Sequence, residues 1–448
     1  MEGKNRKLRI VLIGGGSYAW TPKIVTDLVL EPGLAGSTVV LNDINPEANE
    51  ELAQYCRLVV DKAGADIKIE TETDLAIAAK DADFVLLTIS TGGLEAMTHD
   101  IEIPAKYGIM QPVGDTVGPG GISRALRNIP VVVDIVKTIE SVAPRAWLLN
   151  YTNPMTTLTR ACHLTSSVRT VGLCHELFGV MNRLSQLLGI DADEMVPVVA
   201  GINHLIWILE LTAHGRDLLA ELKKYWADHS SEMLGFDKEK VSQDPFGDRM
   251  AVKFNLLDVY GVLPAAGDRH IAEFFPYFLT SRANYGLDYG VGLTTIQRRR
   301  ENLAKAQQRI RHLIANPEEI SVEESNEAAA DIISEIAAGR EAIHILNLPN
   351  TGQIDNLPRE AVVETMGVVG PNGARGIAVG SLPAPVASIL RRHVENQEMT
   401  VEAGLTGNRK LAFQAMLNDP LLQGLSLHEA SQMFDELLEA NKAYLPQF

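Results

Sequence analysis

The first 195 residues alternate short apolar runs with stretches whose apolar residues recur at helical spacing. Such alternation is typical of a parallel sheet covered by helices on both faces. The apolar runs predict six strands, at Arg9–Ile13, Thr38–Asn42, Asp66–Glu70, Asp83–Ile89, Ala146–Asn150 and Arg169–Leu173. Helices are predicted between them at Pro46–Lys62, Ser123–Val142 and Phe178–Leu188. This rhythm predicts an α/β fold built on a Rossmann-like, doubly wound parallel sheet.

The rhythm breaks after Pro197, where the pattern predicts an antiparallel strand at Leu205–Ala213 and a long helix at Thr294–Ile314. Pro371–Gly376 is predicted to be a loop because it is rich in turn residues. We therefore expect one domain over residues 1–195 and a second, mostly helical α+β domain over residues 196–448. No long linker separates them, so a site at their junction is expected.

A glycine-rich turn follows the first predicted strand, with Gly14, Gly16 and Ala19 in the G-x-G-x-x-G/A spacing and Ser17 between them. Such glycines let backbone N–H groups approach a pyrophosphate at a helix N-terminus. The next strand ends at Asp43, which can accept hydrogen bonds from a ribose 2′-hydroxyl and would repel a 2′-phosphate. The turn predicts NAD+ rather than NADP+, although it could also serve packing alone.

Two further strand ends carry polar residues where this fold binds its ligands, outside the carboxyl ends of the strands. Thr91 follows the fourth predicted strand, and Asn150 ends the fifth. Both are candidates for contact with the cofactor, and ordinary turn chemistry explains either of them equally well.

Composition narrows the classes of partner. The chain carries 40 basic and 57 acidic side chains, and its net charge of -17 would repel nucleic acid and anionic lipid surfaces. No apolar run reaches the roughly 18 residues of a membrane span. The start of the chain does not have the pattern of a signal peptide. A cytoplasmic protein without nucleic-acid or membrane partners is expected, with its three cysteines as free thiols.

The sixth predicted strand is followed by Cys174-His175-Glu176, and Asn203-His204 comes about 30 residues later. A thiolate and a neutral imidazole are a common pair of metal ligands, and they leave positions open for substrate oxygens. Cys174 and His204 are therefore predicted to bind a metal ion. A buried structural cysteine and a core-facing histidine are the competing interpretations.

Three other charged groups have both a functional and a structural interpretation. Asp115 lies in a Gly- and Pro-rich loop, where its carboxylate could meet a ligand or form an Asx turn. The segment containing Asp268, Arg269 and His270 follows a turn, and Arg298 belongs to a run of three arginines. Charged runs of this kind usually form solvated surfaces.

Taken in order, these motifs resemble glycoside hydrolase family 4, the NAD- and metal-dependent glycosidases. The motifs that carry the resemblance are Gly14–Ser17, Asn42–Ile44, Gly114-Asp115 with Gly118–Gly121, Asn150–Pro154, Cys174–Glu176, Asn203-His204 and Gly267–Glu273. The resemblance implies a fold of the lactate and malate dehydrogenase type. In this family the Cys-His-Glu sequence resembles the branch that acts on α-galacturonides or α-glucuronides, whereas branches for 6-phosphoglycosides carry other residues after the cysteine.

The resemblance implies hydrolysis by elimination and addition, without net redox change, a known exception to the usual two-carboxylate scheme. NAD+ takes hydride from C3 of the sugar, and the resulting ketone acidifies the C2 proton. A base removes that proton, the C1–oxygen bond breaks with help from an acid, water adds, and NADH restores C3. Mn2+ is the implied metal, although a thiolate ligand favours later metals such as Co2+ or Ni2+.

The resemblance also implies catalytic roles for single residues. His175 follows the metal ligand, as the general acid does in α-acting relatives, whereas Asp115 has a position that serves as the acid in β-acting relatives. The resemblance favours His175 as the acid and Asp115 as a group that lies in the shell around the metal or orients a water. Where many relatives have a tyrosine as the C2 base, Asp268 is the nearest carboxylate. Tyr260 and His270 are the alternatives for this base.

The substrate is expected to contact Asn153 and Glu176, and its carboxylate would be matched by a guanidinium fork. Arg124, Arg269 and Arg298 are the candidates. On this interpretation residues 1–195 bind NAD+, whereas residues 196–448 bind substrate and metal and mediate oligomerisation. A homodimer or homotetramer is implied. A malate- or lactate-type dehydrogenase and a non-catalytic NAD-binding sensor are the rival functions.

Overall fold

In the computed structural model, which describes residues 7–325 and 327–448, six parallel strands form one half of a single sheet. These strands are β1 (Arg9–Ile13), β2 (Ser37–Asn42), β3 (Ile67–Glu72), β4 (Phe84–Leu87), β5 (Trp147–Asn150) and β6 (Arg169–Gly172). They pair in the order β3-β2-β1-β4-β5-β6, which is the order of a dinucleotide-binding fold. The predicted Rossmann-like sheet is confirmed.

Helices cover both faces of these strands, as the uninterrupted apolar character of the strands predicts. In β1, Ile10 and Leu12 enter one core cluster, and Val11 and Ile13 enter another on the opposite face. The helices of this part are α1 (Thr21–Leu30), α2 (Pro46–Ala63), α3 (Leu75–Ala79), α4 (Gly93–Lys106), α5 (Gly118–Val142), α6 (Met155–Thr165) and α7 (Glu176–Leu188).

Helix α5 begins at Gly118, so the prediction that it begins near Ser123 is wrong. The first turn of α5 has no local side-chain cap. Instead, Asp419, 301 residues further along the chain, accepts a hydrogen bond from the Gly118 N–H at 2.9 Å. A carboxylate at this position satisfies a free N–H and matches the positive end of the helix dipole.

The other half of the sheet is antiparallel and continues from β6 in the order β11-β12-β7-β8-β10. Its strands are β7 (Val196–Ile202), β8 (Leu205–Ala213), β9 (Arg216–Asp217), β10 (Leu263–Pro264), β11 (Ala342–Pro349), β12 (Val362–Gly370) and β13 (Gly373–Gly376). Strand β13 pairs with β12 as a hairpin, so the prediction of a loop over Pro371–Gly376 is wrong for Gly373–Gly376. The predicted antiparallel strand at Leu205–Ala213 is confirmed.

Nine further helices follow among the described residues, as expected for a mostly helical α+β region, and they pack partly on this half and partly on the helices of the parallel half. They are α8 (Leu218–Met233), α9 (Lys238–Gln243), α10 (Ala251–Tyr260), α11 (Asp268–Phe274), α12 (Ile296–Ala315), α13 (Ala329–Ala337), α14 (Ala384–Thr406), α15 (Arg409–Asn418) and α16 (Leu427–Ala440). Across the described residues, no helix is long and apolar enough to cross a membrane.

The two halves share a hydrophobic core. Ile333 of α13, Leu346 of β11 and Val369 of β12 belong to the same buried cluster as Ile10 and Leu41. The domain boundary between residues 195 and 196 stays a prediction, because side-chain packing runs across it.

Candidate active site

The glycine-rich turn after β1 packs so closely on the neighbouring strand that it leaves no room for side chains. Gly14 has a φ of +93°, and a Cβ there would lie 2.4 Å from the Thr88 carbonyl oxygen. A Cβ on Gly16 would lie 2.8 Å from Oδ2 of Asp43. The turn therefore has the bare backbone that close approach of a pyrophosphate requires.

Asp43 and Ser17 also stabilise this turn. The Asp43 carboxylate accepts hydrogen bonds from the Gly16 N–H at 2.9 Å and from the Asn45 N–H at 2.8 Å. The Ser17 hydroxyl accepts a bond from the Trp20 N–H at 3.2 Å. Their predicted contacts with the cofactor stay predictions, but both residues shape the turn that would hold it.

Thr91, which follows the fourth strand, is held by the middle of α5. Its N–H and hydroxyl both donate to the Asn128 side-chain oxygen, at 3.1 and 2.8 Å. Its carbonyl accepts a bond from Arg127, whose guanidinium forms a fully buried, bidentate ion pair with Asp100. A doubly bonded guanidinium–carboxylate pair is geometrically specific, so the loop that carries Thr91 has a fixed position.

Asn150 is fully buried and serves the turn after β5. Its side-chain oxygen accepts a bond from the Thr152 N–H at 2.8 Å, and its amide donates to the Thr159 hydroxyl at 3.1 Å. Its predicted contact with the cofactor has no support from this geometry and stays a prediction.

Asp115, His204 and His270 form a cluster that can hold a metal ion. Their possible ligand atoms all lie within 4.8 Å of one another, and the two imidazole centroids are 3.8 Å apart. His204 lies in the tight turn between β7 and β8, with a φ of +64°. This cluster unites the predicted metal ligand His204 with the predicted metal-orienting Asp115, and His270 is added by the structure.

Thr116 sets the tautomer of His204. Its hydroxyl donates to Oδ1 of Asp115 at 2.9 Å and lies 2.7 Å from Nδ1 of His204. Because the hydroxyl has one proton, Nδ1 of His204 is the donor in the second contact, and Nε2 keeps a free lone pair. Nδ1 of His270 is buried and makes no hydrogen bond to the described residues.

The pKa values favour the protonation states that metals bind. Burial, and then the neighbouring His270, lower the pKa of His204 to about 3, so its imidazole is neutral at pH 7. Burial alone would raise the pKa of Asp115, but His270, His204 and two arginines outweigh it and lower that pKa to about 2. A neutral imidazole and a carboxylate are the forms that coordinate a cation.

Glu273 fixes the loop that carries Asp115, although the sequence patterns did not single it out. Its fully buried carboxyl accepts hydrogen bonds from the N–H groups of Val113 and Gly114, at 2.7 and 2.8 Å. Burial raises the pKa of Glu273 to about 8, so the group is largely neutral at pH 7.

Cys174 lies beside this cluster and is not one of its three members. Its thiol is close to Glu364, Glu176 and Asn203. Burial and the two carboxylates raise the pKa of the thiol. The prediction that Cys174 and His204 share a metal ion stays a prediction.

His175 and Glu176 connect the end of β6 to the segment that carries His270. Nδ1 of His175 lies 3.4 Å from the buried Glu327 carboxyl, and its Nε2 lies 3.9 Å from Oε1 of Glu176. Oε2 of Glu176 accepts a hydrogen bond from the Gly267 N–H at 2.6 Å. Burial would raise the pKa of Glu176, but His270 and His204 lower it to about 2. Glu176 is therefore a carboxylate at the border of the cluster.

Asp268, the predicted base, has a structural role in this geometry. Its carboxylate pairs with the buried Lys253 ammonium at 2.8 Å and accepts the N–H groups of Val252 and Lys253 at 3.2 Å, in the first turn of α10. Tyr260 packs against Trp207 in an aromatic group. Of the three candidate bases, only His270 lies in the metal-binding cluster.

The arginines divide into two groups. Arg124 donates to the Asn153 carbonyl at 2.9 Å, and Arg269 stacks on Phe246 at 4.6 Å. Arg298, in contrast, donates to the Gln243 carbonyl near the surface. Its neighbour Arg299 donates to the Val113 carbonyl at 2.9 Å, and its buried Nε has no hydrogen-bond partner among the described residues.

Arg299 belongs to the run of three arginines but was not among the substrate-binding candidates from the sequence. Its charge, with that of Arg124, contributes to the low pKa of Asp115. The side chain of Asn153 accepts a hydrogen bond from the Met155 N–H at 3.2 Å, and its predicted contact with the substrate stays a prediction.

Comparison with known proteins gives matches along most of the chain. The family model for family 4 glycosyl hydrolases matches residues 9–190, and that for their C-terminal domain matches residues 199–422. An alpha-galacturonidase of Thermoanaerobacterium saccharolyticum is 38% identical, with 99% of this chain and 98% of the relative covered.

Two solved structures extend the comparison. The crystal structure of lplD from Bacillus subtilis has a TM-score of 0.89 and 34% identity, and covers 96% of this chain and 100% of its own. A 6-phospho-alpha-glucosidase from gut microorganisms, in complex with NAD and Mn2+, has a TM-score of 0.82 and 24% identity, covering 98% and 99%, which shows the shared fold. The protein therefore belongs to family 4 of the glycosyl hydrolases.

Proposed function

We propose that this protein is an NAD+- and Mn2+-dependent α-glycosidase that hydrolyses α-galacturonides or α-glucuronides. The observation that carries the proposal is the cluster of Asp115, His204 and His270, which combines a carboxylate with two imidazoles beside the Cys-His-Glu segment. The relative from Thermoanaerobacterium saccharolyticum is named an alpha-galacturonidase, and the structural neighbour with the same fold binds NAD and Mn2+.

The residues present fit both groups. Gly14, Gly16, Ser17 and Asp43 form the bare turn that would hold NAD+, with Thr91 at the next strand end. His204 and Asp115 would hold the metal, with Cys174 as a further donor. When bound, these groups would supply reversible oxidation at C3 and polarisation of the sugar oxygens.

The remaining steps belong to side chains of this chain. His175 would hold the proton for the leaving oxygen, and the Glu327 carboxyl at 3.4 Å orients its ring. His270 is favoured over Asp268 as the group that removes the C2 proton, because it lies in the cluster and its Nδ1 makes no hydrogen bond to the described residues. Glu176, whose carboxylate accepts a hydrogen bond from the Gly267 N–H, would orient water and substrate hydroxyl groups at the border of the cluster.

The charge of the site fits an anionic sugar. Arg124, Arg269 and Arg299 surround Asp115, and none of the three forms an ion pair with a carboxylate of the described residues. Glu273 is largely neutral at pH 7, whereas Asp115 and Glu176 are charged carboxylates close to His204 and His270. A substrate carboxylate would add negative charge opposite these three arginines.

The reaction is tested with p-nitrophenyl α-galacturonide in D2O with NAD+ and Mn2+. We expect the released sugar to carry deuterium at C2 while no NADH accumulates, because hydride returns to C3 in every turnover. Accumulation of NADH would identify a dehydrogenase instead. Binding of NAD+ with neither product would identify a sensor.

A homodimer or homotetramer and a cytoplasmic location are part of the proposal. Light scattering of the purified protein tests the first, and fractionation of the source cells tests the second. A monomer with full activity would contradict the oligomeric prediction.

A further inference from the structure

Four paired residues cross the seam between the parallel and antiparallel halves of the sheet. Gly172 of β6 pairs with Asn347 of β11, Asn347 pairs with Glu364 of β12, and Glu364 pairs with Gly201 of β7. Because both outer residues are glycines, Asn347 and Glu364 supply all the side chains of this row. A Cβ on Gly172 would lie 2.8 Å from the Cβ of Asn347, so the glycine makes room for this side chain.

Each end of the row is two or three residues from a predicted metal ligand, Cys174 or His204. Cys174 follows Gly172, and Asn203, which immediately precedes His204, follows Gly201. The row therefore spans the distance between the strand end that carries the thiol and the turn that carries the imidazole.

The side chains of the row are joined to both ends. The Asn347 amide donates to the Glu364 carboxyl at 3.1 Å and to the Gly172 carbonyl at 3.4 Å. Asn203 lies against both the Glu364 carboxyl and the Cys174 thiol, in contacts that lack regular hydrogen-bond geometry. Glu364 is 2% exposed and the two asparagines are fully buried.

Packing alone does not account for a carboxyl group at this place. A buried carboxyl is unfavourable unless its hydrogen bonds are well made, and an apolar pair of similar size commonly stabilises a core as well or better. Some polar side-chain atoms of Asn203, Asn347 and Glu364 make no regular hydrogen bond to the described residues. Asn203, Asn347 and Glu364 therefore make the folded protein less stable than apolar side chains at the seam would, so a structural role alone does not explain them.

We propose that Glu364, through Asn347 and Asn203, is a positioning residue for the metal site that holds the His204 turn at a fixed distance from Cys174. The inference rests on the proposed metal-dependent function. Groups that orient metal ligands without touching the metal typically change its affinity 10- to 100-fold when they are removed.

The experiment is calorimetric titration of the NAD-free full-length protein with Mn2+ alone. We expect Glu364→Ala to weaken Mn2+ binding about 10- to 100-fold, and Asn347→Ala to weaken it in the same direction. Glu364→Gln keeps both polar atoms of the side chain and should bind Mn2+ much like the unmodified protein. NAD+ affinity should be the same in all variants, because the Gly14 turn contacts none of these residues.

Thr365→Ala is the matched control. Thr365 is the next residue on β12, is equally buried and faces the opposite side of the sheet. If Thr365→Ala weakens Mn2+ binding as much as Glu364→Ala does, or if NAD+ affinity falls in parallel, Glu364 is only structural and the inference is wrong.

Two further outcomes are decisive. If Glu364→Ala does not fold, Asn347→Ala becomes the test. The inference is then overturned if Asn347→Ala binds Mn2+ as tightly as the unmodified protein does. If the unmodified protein binds no Mn2+ at all, the metal-dependent function itself is refuted, whereas the failures above leave that function intact.

Discussion

At the scale of single residues, the site is built from side chains that serve the backbone and the chemistry together. Asp43 fixes the glycine turn through the Gly16 N–H, and Thr116 orients both Asp115 and His204. A residue with two tasks of this kind tolerates substitution poorly, because removing it disturbs both the turn and the ligand. Arg299 has fewer constraints, since one of its nitrogens makes no hydrogen bond to the described residues.

Arg299→Gln should lower kcat/KM for p-nitrophenyl α-galacturonide by about 10- to 100-fold, as expected for loss of a charge-assisted hydrogen bond. Activity on the methyl ester of the same substrate, which has no carboxylate charge, should change little. Arg298→Gln is the control, because Arg298 is adjacent on α12 but bonds to the Gln243 carbonyl. Equal losses on acid and ester would contradict a role in recognising the carboxylate.

The difference between Arg298 and Arg299 also marks what the sequence can predict at this scale. The sequence identified Asp43, Thr91 and Cys174 as candidate site residues because each follows a predicted strand. Parallel strands direct their carboxyl ends to one edge of the sheet. Which arginine of a run of three faces the site depends on the rotation of α12, which contacts outside the helix determine. The sequence likewise did not show that His270, rather than Asp268 two residues before it, lies in the cluster with Asp115 and His204.

At the scale of elements, a helix boundary depends on a residue remote in sequence. Ser123 has the local character of an N-cap, but α5 begins at Gly118 because the Asp419 carboxylate satisfies the N–H there. Strands β7, β11 and β12 were not predicted from the local sequence pattern. Local sequence patterns predict strands that are buried on both faces more reliably than they predict strands and helix ends that depend on residues distant in the sequence.

The buried Asp419 carboxyl predicts how the stability of the protein changes with pH. Burial raises the pKa of Asp419 to about 6, above the value near 3.9 expected in an unfolded chain. The folded state therefore holds this proton up to higher pH than the unfolded state, so stability is lost as pH rises from about 4 to about 6. Asp419→Asn does not titrate, and its free energy of unfolding relative to wild type should rise by roughly 2 to 3 kcal/mol across this window.

Urea unfolding at pH 4, 5, 6 and 7 measures this difference. A constant offset is expected in addition, because asparagine has one carboxamide oxygen where the aspartate accepts bonds from both Gly118 and Leu421. The exposed Asp435→Asn serves as the control. Parallel curves for wild type and Asp419→Asn would contradict the prediction.

At the scale of the whole molecule, the proposed binding sites for NAD+ and Mn2+ draw on different parts of one sheet. The glycine turn follows β1, while His204 lies between β7 and β8 in the antiparallel half. The family resemblance predicted this division of labour, but the continuity of the sheet across both halves could not be read from local patterns. It depends on the pairing of β6 with β11, which are separated by about 175 residues.

NAD+ and Mn2+ should stabilise the protein independently of each other. After dialysis against EDTA, Mn2+ or NAD+ at about 100 times its Kd should each raise the free energy of unfolding by about 2.7 kcal/mol. His204→Ala should lose the Mn2+ effect and keep the NAD+ effect, measured by thermal unfolding. Loss of both effects would show that His204 supports the fold as a whole.

The shared core of the two halves has a practical consequence for dissecting the protein. Ile333, Leu346 and Val369 belong to the same buried cluster as residues of β1 and β2, so a fragment ending at residue 195 would lose part of its own interior and expose the outer edge of β6. An uncovered strand edge beside bare apolar surface invites self-association. Separate expression of the NAD-binding half is therefore expected to give aggregates, and a split protein would need both pieces produced in the same cell.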